Sequence, residues 1–380
     1  MTTLDEILAP ITSAEFFADY HDRKPLYVPA EGGGSPARRP LDWAGFNALL
    51  DQASIWNAAH LRLYKDVPRI PETDYCNRVP TQDGQVTLRP SPAKVQVCLA
   101  DGASLVANEV QFLNPAMSAV ADVLSRRFAA LVGANVYCSF HGVRAFGTHF
   151  DSHDVWAFHL EGEKVWRVYQ NRADNPHVFP PDSPEARRWV EATRGPVMHE
   201  IRMKPGDLLY LPRGWYHDAL ADGGASLHLT YSVTPLDGRA LLGVLAQIMV
   251  QDSAFRAFLP PAHADDGQAL AAHLADLARR LADQVSGPAM LEEMMTAQAR
   301  LSPRIAPYAL PQAAALTFYR VTGLHHPIPP GPMAAPVRWM FAQPTFAVED
   351  LLAEFEGHDP DRLRQVVDGA VKAGALALVK

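Results

Sequence analysis

Residues 147–170 read GTHFDSHDVWAFHLEGEKVWRVYQ, and this stretch decides the fold class. Two runs rich in β-branched and aromatic residues, VWAFHLE and KVWRVYQ, are separated by a short turn containing Gly162. Similar runs continue on both sides across residues 134–236: ANVYCSF before the stretch, and DLLYLP and SLHLTYSVT after it. Short strands at such close intervals, bounded by turns such as KPGD at 204–207, predict an antiparallel sandwich or barrel.

Composition narrows the class of protein further. The chain has 380 residues, which corresponds to two or three domains. Its 34 Lys+Arg against 42 Asp+Glu give a net charge of −8. This argues against general nucleic-acid binding, which depends on basic patches that contact phosphates, and is compatible with a basic protein or peptide partner.

Cysteine usage and hydropathy indicate the cellular compartment in which the protein is expected. The three cysteines, Cys76, Cys98 and Cys138, are odd in number and far apart, which argues against a disulfide framework or a zinc ribbon. The first residues carry acids and no basic segment, and no apolar run approaches the length of a membrane span. We therefore expect a soluble protein of a reducing cytoplasm, without membrane association.

Helical patterns flank the strand region. A short helix is expected near residues 4–8. Ser13 is then placed to cap a second helix that runs through Tyr20. Residues 60–110 suggest short extended pieces, and residues 115–132 predict an amphipathic helix that stops at Gly133. Beyond the strands, residues 237–310 show helical spacing without strands.

The tail, residues 334–380, has the order helix–helix–helix–strand. That order suits a small winged-helix-like domain, with a plain C-terminal helical cap as the alternative. The tail contains five basic and seven acidic residues, a balance of −2, so a role in reading DNA is disfavoured.

One constellation carries chemistry. His149 and Asp151 are two residues apart, so on a strand both side chains point to the same face. His217, in LPRGWYHDA, follows 66 residues after Asp151 and can be brought beside them by a later strand. Two imidazoles and one carboxylate on one face form the facial triad of non-haem Fe(II), which leaves coordination positions open for a cosubstrate and O₂.

The residues around this triad resemble the JmjC-type cupins and, within them, the ribosomal oxygenases. The matching text is VGANVYCSF, GTHFDSHDVWAFHLEGEKVWRVY, PGDLLYLPRGWYHDA and SLHLTYSV, with FFADYHDRKPLYV and ADGASLVANEV as weaker lead-in matches. The resemblance is strong through residues 134–234 and rests on element order after residue 240. It implies a mostly β catalytic domain with a double-stranded β-helix (cupin or jelly-roll) fold, Fe(II) as metal, 2-oxoglutarate as cosubstrate and O₂ as oxidant.

The resemblance also implies roles for individual residues. His149, Asp151 and His217 match the iron ligands, and Lys164 matches the basic residue that pairs with the distal carboxylate of 2-oxoglutarate. Tyr137 could bond the same carboxylate, and Asn135 could face the cosubstrate or the substrate. Ser232 and His228 match a further strand of the pocket. His153 is interpreted as a residue beside the ligands and not as a fourth ligand, since a fourth would close the open site.

The resemblance implies hydroxylation of an Arg or His side chain in a ribosomal protein, with release of succinate and CO₂. Lys at position 164 departs from the bacterial arginine-hydroxylating type, which tends to carry Arg there, and puts that assignment in doubt. Alternatives are a tailoring hydroxylase of a biosynthetic peptide, a non-catalytic metal-binding cupin that acts as a scaffold, and a cupin enzyme that uses no cosubstrate. A demethylase would need a methyl-ammonium cage that the sequence does not reveal.

The expected organisation has three parts. Residues 1–236 form the catalytic domain with its lead-in, residues 237–320 form a helical dimerisation region, and residues 334–380 form the winged-helix-like domain. A homodimer is therefore expected.

Overall fold

The structure, a computed structural model, describes residues 2–30, 34–65, 69–140, 147–181, 183–220, 224–301, 315–324, 327–329 and 331–379. It divides into two compact units, Met1–Thr234 and Pro235–Lys380. The described strands are β1 Leu26–Val28, β2 Leu61–Tyr64, β3 Cys76–Pro80, β4 Val86–Pro90, β5 Ser104–Ala107, β6 Ala130–Ser139, β7 Asp154–Glu161, β8 Lys164–Arg172, β9 Val197–Met203, β10 Leu208–Leu211, β11 Trp215–Leu220, β12 Ser226–Pro235, β13 Phe318–Val321, β14 Thr345–Ala347 and β15 Leu376–Leu378. The described helices are α1 Leu4–Leu8, α2 Ser13–Asp19, α3 Trp43–Leu50, α4 Glu72–Tyr75, α5 Pro92–Ala100, α6 Pro115–Phe128, α7 Pro184–Thr193, α8 Gly238–Met249, α9 Ser253–Arg256, α10 Gln268–Ser286, α11 Pro288–Ala299, α12 Ala334–Ala342, α13 Val348–Glu354 and α14 Pro360–Lys372.

Two facing antiparallel sheets form the centre of the first unit, which also contains the two-stranded sheet β3-β4. The larger has seven strands in the order β1-β10-β7-β12-β6-β5-β2, and the smaller has three in the order β11-β8-β9. Val155 and Ala157 of β7 pack with Trp166 and Val168 of β8 in one buried cluster, so the two sheets face each other. The expected antiparallel sandwich is therefore present.

Strand β7 lies between β10 and β12 and has both faces covered. Its odd-numbered residues Val155 and Ala157 face the smaller sheet, whereas Trp156 and Phe158 belong to the core on the other side. This explains why VWAFHL is apolar almost throughout and does not show a simple alternation, because a strand buried on both faces needs no polar face.

The N-terminal helices cover the outer face of the larger sheet. Phe16 of α2 packs against Tyr210 and Trp156, with ring centroids 4.8 and 5.2 Å away. The cap of α2 is Thr12 and not Ser13 as the sequence suggested. Thr12 accepts a hydrogen bond from the Glu15 N–H while the Glu15 carboxylate accepts one from the Thr12 N–H, a reciprocal pair that Ser13 is not placed to make.

Two other helix boundaries differ from the sequence prediction. Helix α6 ends at Phe128, because Ala129 adopts a left-handed backbone conformation with φ of 46°, and β6 begins at Ala130. Gly133 therefore lies inside β6, where a Cβ atom would come within 3.0 Å of the Ser232 hydroxyl oxygen. Residues Pro92–Ala100, predicted as an extended piece, form α5, with Pro92 in the first turn where its missing N–H costs nothing.

The second unit contains helices α8–α14 and a small sheet with the order β14-β13-β15. The core of this sheet and its helices includes Val337, Met340, Phe346, Leu351 and Val367. Strands β13 and β14 were not expected from the sequence, and β13 lies in the range assigned to the helical region. No helix of the described chain is long and apolar enough to cross a membrane.

Candidate metal centre

His149 and His217 are joined through their backbones. The His149 N–H donates to the His217 carbonyl oxygen at 3.0 Å, and the His217 N–H donates to the His149 carbonyl oxygen at 2.8 Å. His217 belongs to β11, but His149 makes only this isolated bridge and is not part of a regular strand. The sequence predicted that His149 and Asp151 share a face because both lie on one strand. That explanation was wrong, because neither residue belongs to a regular strand.

The three side chains nevertheless converge. One ligand atom from each of His149, Asp151 and His217 lies within 4.8 Å of the others, and within the described ranges no other group of three or more such residues does so. Nε2 of His217 is 3.4 Å from Oδ2 of Asp151. The spacing fits one metal ion shared by the three.

The backbone fixes which ring nitrogen can bind a metal. Nδ1 of His149 lies 2.9 Å from the Gly147 carbonyl oxygen, and Nδ1 of His217 lies 2.9 Å from the Trp215 carbonyl oxygen. A carbonyl oxygen only accepts, so both Nδ1 atoms carry hydrogen and both Nε2 atoms keep a lone pair. Two imidazoles that can each offer Nε2, beside a carboxylate, are the donor set that non-haem Fe(II) takes.

Electrostatics favour the metal-binding protonation states. Burial alone would raise the pKa of Asp151, but the imidazoles of His153, His149 and His217 outweigh it and lower that pKa. Burial, and then the neighbouring His149, lower the pKa of His217 to about 4. At neutral pH the site therefore presents an ionised carboxylate and a neutral His217 imidazole, the forms that coordinate metal.

Two buried carboxylates, Asp154 and Asp218, hold together the two segments that carry the candidate metal ligands. Asp154, at the start of β7, accepts hydrogen bonds from the Arg213 N–H at 2.8 Å and from the Tyr210 hydroxyl at 3.1 Å. Asp218, next to His217, accepts from the Thr148 hydroxyl at 3.2 Å and from the Tyr169 hydroxyl. Sequence reasoning had not singled out Asp218, although its place directly after a candidate ligand was a signal.

Gly214 is a second anchor, and it yields a prediction. Its N–H donates to the Asp151 carbonyl oxygen at 2.9 Å, its φ is 85°, and a Cβ atom there would lie 2.4 Å from the Ala173 carbonyl oxygen. Gly214→Ala is expected to lower the free energy of unfolding by at least about 2 kcal/mol, because it adds backbone strain and a steric clash. The variant should also weaken metal binding. Because Gly214 is hydrogen-bonded to the backbone of Asp151, a shift of Gly214 displaces that candidate ligand.

Urea unfolding and metal titration check this expectation. Gly243→Ala is the matched control, because Gly243 lies in α8 and a Cβ atom there meets nothing within 4 Å. Equal unfolding midpoints for the two variants would show that Gly214 has no such anchoring role.

The metal centre opens into a cavity of about 700 Å³. The eight residues singled out in the sequence all line this cavity: Asn135, Tyr137, His149, Asp151, Lys164, His217, His228 and Ser232. Trp166 stacks on His217 with ring centroids 5.7 Å apart, and Tyr137 stacks on His228 at 4.7 Å. The structure thus brings all of the candidate site residues to one space.

Lys164 is a buried cationic residue in the lining of this cavity. Its side chain is 3% exposed, and no hydrogen bond or ion pair reaches its ammonium group from the described part of the chain. Burial lowers the pKa of Lys164 to about 8. A buried ammonium without a partner costs free energy, and a bound anion would offset that cost.

Other parts of the lining had no sequence signal. Tyr64, Arg69 and Asn108 come from the N-terminal half of the unit, and Phe179 and Arg187 come from the segment around α7. Neither group forms a motif in the sequence, because their proximity depends on tertiary folding. From the sequence alone Arg144 is also a candidate for the mouth of the cavity, and this arginine lies outside the described residues.

Comparison with known proteins agrees with this fold. Residues 106–241 match a family model described as JmjC domain. The chain is 31% identical over 228 residues to ribosomal oxygenase 1 of Gallus gallus, which covers 60% of this chain and 35% of that protein. It is 28% identical over 263 residues to the bifunctional lysine-specific demethylase and histidyl-hydroxylase NO66 of Drosophila persimilis, covering 66% of this chain and 34% of that protein. The matches thus span about a third of the length of these relatives.

A solved structure extends the likeness to nearly the whole chain. YcfD, a ribosomal oxygenase from Escherichia coli in complex with cobalt and 2-oxoglutarate, superposes with a TM-score of 0.52. The superposition covers 98% of this chain and 99% of that chain at 16% identity, which shows a shared fold. With the JmjC match over the barrel, the antiparallel sheets described above are those of a JmjC cupin. Residues 106–241 thus match the JmjC domain, and the chain is similar to proteins named ribosomal oxygenase.

Proposed function

We propose that the protein is an Fe(II)- and 2-oxoglutarate-dependent oxygenase that hydroxylates an amino-acid side chain in a protein. The observation that carries the proposal is the arrangement of one cavity. A His149–Asp151–His217 triad lines the same space as Lys164, which is buried and has no hydrogen-bond or ion-pair partner among the described residues. A metal triad alone would suit many reactions. The added cation suits a cosubstrate that chelates metal at one end and carries a carboxylate at the other.

In this proposal His149 and His217 bind iron through Nε2, and Asp151 binds through its carboxylate. The carbonyl groups of Gly147 and Trp215 hold the two rings in orientation. The bound iron with 2-oxoglutarate and O₂ supplies the oxidation, which releases succinate and CO₂ and leaves one oxygen on the substrate as a hydroxyl group.

Lys164 would hold the distal carboxylate of 2-oxoglutarate. Tyr137 and His228, which stack on each other, lie on the cavity wall and would complete the cosubstrate pocket together with Asn135 and Ser232. The pairing would satisfy both charges, since the ammonium has no partner in the described part of the chain and the desolvated carboxylate would otherwise have no counter-charge.

We propose that the substrate is a ribosomal protein and that the hydroxylated side chain is Arg or His. The likeness to proteins named ribosomal oxygenase supports this choice, and a biosynthetic peptide is the alternative. Mass spectrometry of ribosomal proteins from cells with and without the enzyme should show one residue that gains a single oxygen. If the same residue gains oxygen in cells that carry His149→Ala, the proposal fails.

Cosubstrate affinity is expected to fall above pH 8. Burial holds the pKa of free Lys164 near 8, and pairing with a carboxylate raises it again, so binding takes up a proton at higher pH. The dissociation constant of 2-oxoglutarate should be flat below about pH 7.5 and rise by up to about tenfold per pH unit above 8. Calorimetric titration of the metal-loaded protein measures it.

The control for this pH dependence is Lys164→Arg. A guanidinium stays protonated throughout the range, so the dissociation constant of this variant should stay flat. The same rise above pH 8 in Lys164→Arg would assign the titration to another group.

For the second unit we propose a helical dimerisation region at residues 237–320 and a winged-helix-like domain at residues 334–380. Apolar side chains exposed on α8, α10 and α11, among them Leu242, Leu274 and Leu291, support the first proposal. Helices α12–α14 with strands β14 and β15 support the second, and their sheet is completed by β13, which lies before residue 334. Light scattering should give the mass of a homodimer, and a monomer would contradict the proposed dimer.

A cytoplasmic location stays a prediction.

A further inference from the structure

The turn at residues 212–215 contacts two of the three candidate metal ligands through its backbone. The Gly214 N–H donates to the Asp151 carbonyl oxygen at 2.9 Å, and the Trp215 carbonyl oxygen lies 2.9 Å from Nδ1 of His217. The turn therefore sets the backbone position of one ligand and the ring orientation of another. Contacts that hold this turn in place also maintain the geometry of the metal centre.

The pairing of β11 with β8 is irregular next to this turn. Trp215 lies opposite Arg172 and His217 lies opposite Val168, with a shift of register between Trp215 and His217. Such an irregularity interrupts the ladder of backbone hydrogen bonds and bends the strand. The ladder alone therefore does not fix the turn, and side-chain contacts are left to do so.

Arg172, the last residue of β8, makes these side-chain contacts. Its Nε donates to the Arg213 carbonyl oxygen at 2.8 Å, and its Cζ lies 5.9 Å from the centroid of the Trp215 ring, over the face of that ring. The N–H of the next residue, Ala173, donates to the Gly214 carbonyl oxygen at 2.8 Å. Three consecutive residues of the turn are thus tied to the end of β8.

The other end of the guanidinium is held by Asp22, in the turn after α2. Nη1 of Arg172 donates to the Asp22 carbonyl oxygen at 2.8 Å, and Nη2 pairs with the Asp22 carboxylate. Asp22 has a φ of 54°, a left-handed conformation that persists in such a residue only where neighbouring bonds impose it. Its N–H donates to the Tyr210 hydroxyl oxygen at 3.1 Å, so Asp22 is itself anchored to the larger sheet.

A guanidinium is planar and presents its N–H donors in fixed directions, so it can hold two acceptors at a set distance from each other. We propose that Arg172 is a positioning residue for the metal centre: anchored by Asp22, it fixes the turn at residues 212–215 and thereby orients the His217 ring. The described lining of the cavity does not include Arg172, so its effect on the site is indirect. This inference rests on the proposed function for the presence of the metal.

Titration of Co(II) into the folded, metal-free protein tests this role. Arg172→Met removes every donor of the guanidinium, and the dissociation constant of Co(II) should rise about tenfold, as when a residue that supports a metal ligand is lost. Loss of a positive charge would by itself strengthen binding of a cation, so weaker binding reports the altered geometry. Because folded protein is titrated, a residue that only stabilises the fold would leave the constant unchanged.

Arg172→Lys separates the directed hydrogen bonds from the charge. The ammonium of lysine keeps the positive charge but cannot bridge the Arg213 carbonyl and Asp22 with a planar set of donors. This variant should therefore also bind Co(II) several-fold more weakly than the wild type.

Proton NMR of the Co(II)-loaded protein gives a readout of ring orientation. The Nδ1–H groups of His149 and His217 should each give one exchangeable signal that the paramagnetic ion shifts away from the other resonances. In Arg172→Met one of these two signals should move and exchange faster with water, because the Trp215 carbonyl that accepts from His217 is no longer held. The other signal should stay as in the wild type.

Asp22→Asn tests the anchor and serves if Arg172→Met does not fold. Asparagine tolerates the left-handed backbone and lacks the charge, so Co(II) binding should weaken several-fold. The double variant should bind no more weakly than Arg172→Met alone, because Asp22 acts only through Arg172. Effects that multiply in the double variant would contradict the proposed connection.

Arg280→Met is the matched control. Arg280 pairs with Asp252 at 3.0 Å and with Asp276 at 2.7 Å in the second unit, so the variant removes a comparable set of charged contacts away from the turn. It should bind Co(II) like the wild type. An unchanged dissociation constant in Arg172→Met, or full affinity in Arg172→Lys, would overturn the inference. A wild-type protein that binds no Co(II) would instead overturn the proposed function.

Discussion

His149→Ala is expected to abolish Fe(II)-dependent turnover of 2-oxoglutarate. The variant removes one of three ligand atoms that lie within 4.8 Å of one another, and it leaves Asp151 and His217 as an incomplete set. Loss of a residue that only supports a metal ligand costs about 10- to 100-fold, so loss of the ligand itself should exceed about a hundredfold. Iron affinity and succinate production should fall together.

His199→Ala is the matched control for this variant. His199 is an exposed histidine on β9 and lies outside the cavity lining. Iron content and succinate production of His199→Ala should equal those of the wild type. Turnover of His149→Ala within a few-fold of the wild type would show that His149 is not a ligand.

Lys164→Met is expected to have opposite effects on function and on stability. Methionine is unbranched and nearly as long as lysine but lacks the charge, so binding of 2-oxoglutarate should weaken by about 10- to 100-fold. The cosubstrate-free protein should become more stable, because a buried ammonium that has no partner among the described residues is replaced by an apolar group. Iron binding should not change.

Calorimetry and urea unfolding of the same Lys164→Met sample measure both effects. A cosubstrate affinity equal to that of the wild type would remove Lys164 from the site. A loss of stability together with a loss of affinity would indicate that the ammonium has a structural partner, and the assignment of Lys164 to the cosubstrate would then lose its physical basis.

The sequence predicted the sheets and the cavity lining better than the helix boundaries. The run VWAFHL is apolar because both faces of β7 are covered, whereas KVWRVY alternates because one face of β8 packs on the larger sheet, and burial of both kinds is visible in the residue types themselves. The end of α6 was not visible, because Phe128 and Ala130 are both compatible with helix. The left-handed backbone at Ala129 ends α6 directly before β6 begins.

The triad was predicted from residue spacing, but the structure brings the three residues together in a different way from the one expected. His149 and Asp151 converge with His217 through a backbone bridge and the turn at Gly214, and not through the alternation of a strand. Tyr64, Arg69 and the residues around α7 reach the cavity only through tertiary folding, so no local pattern could have indicated them. The strand β13 was missed for the same reason, since its partners β14 and β15 are distant in sequence.

The central claim is that iron at the triad and the ammonium of Lys164 hold one 2-oxoglutarate between them. Calorimetric titration of 2-oxoglutarate into the protein, with and without Fe(II) and in the absence of O₂, tests it most directly. We expect one bound molecule per chain, tight binding only when Fe(II) is present, and loss of that binding in Lys164→Met. Binding that is equally strong without iron, or unchanged in Lys164→Met, would contradict it.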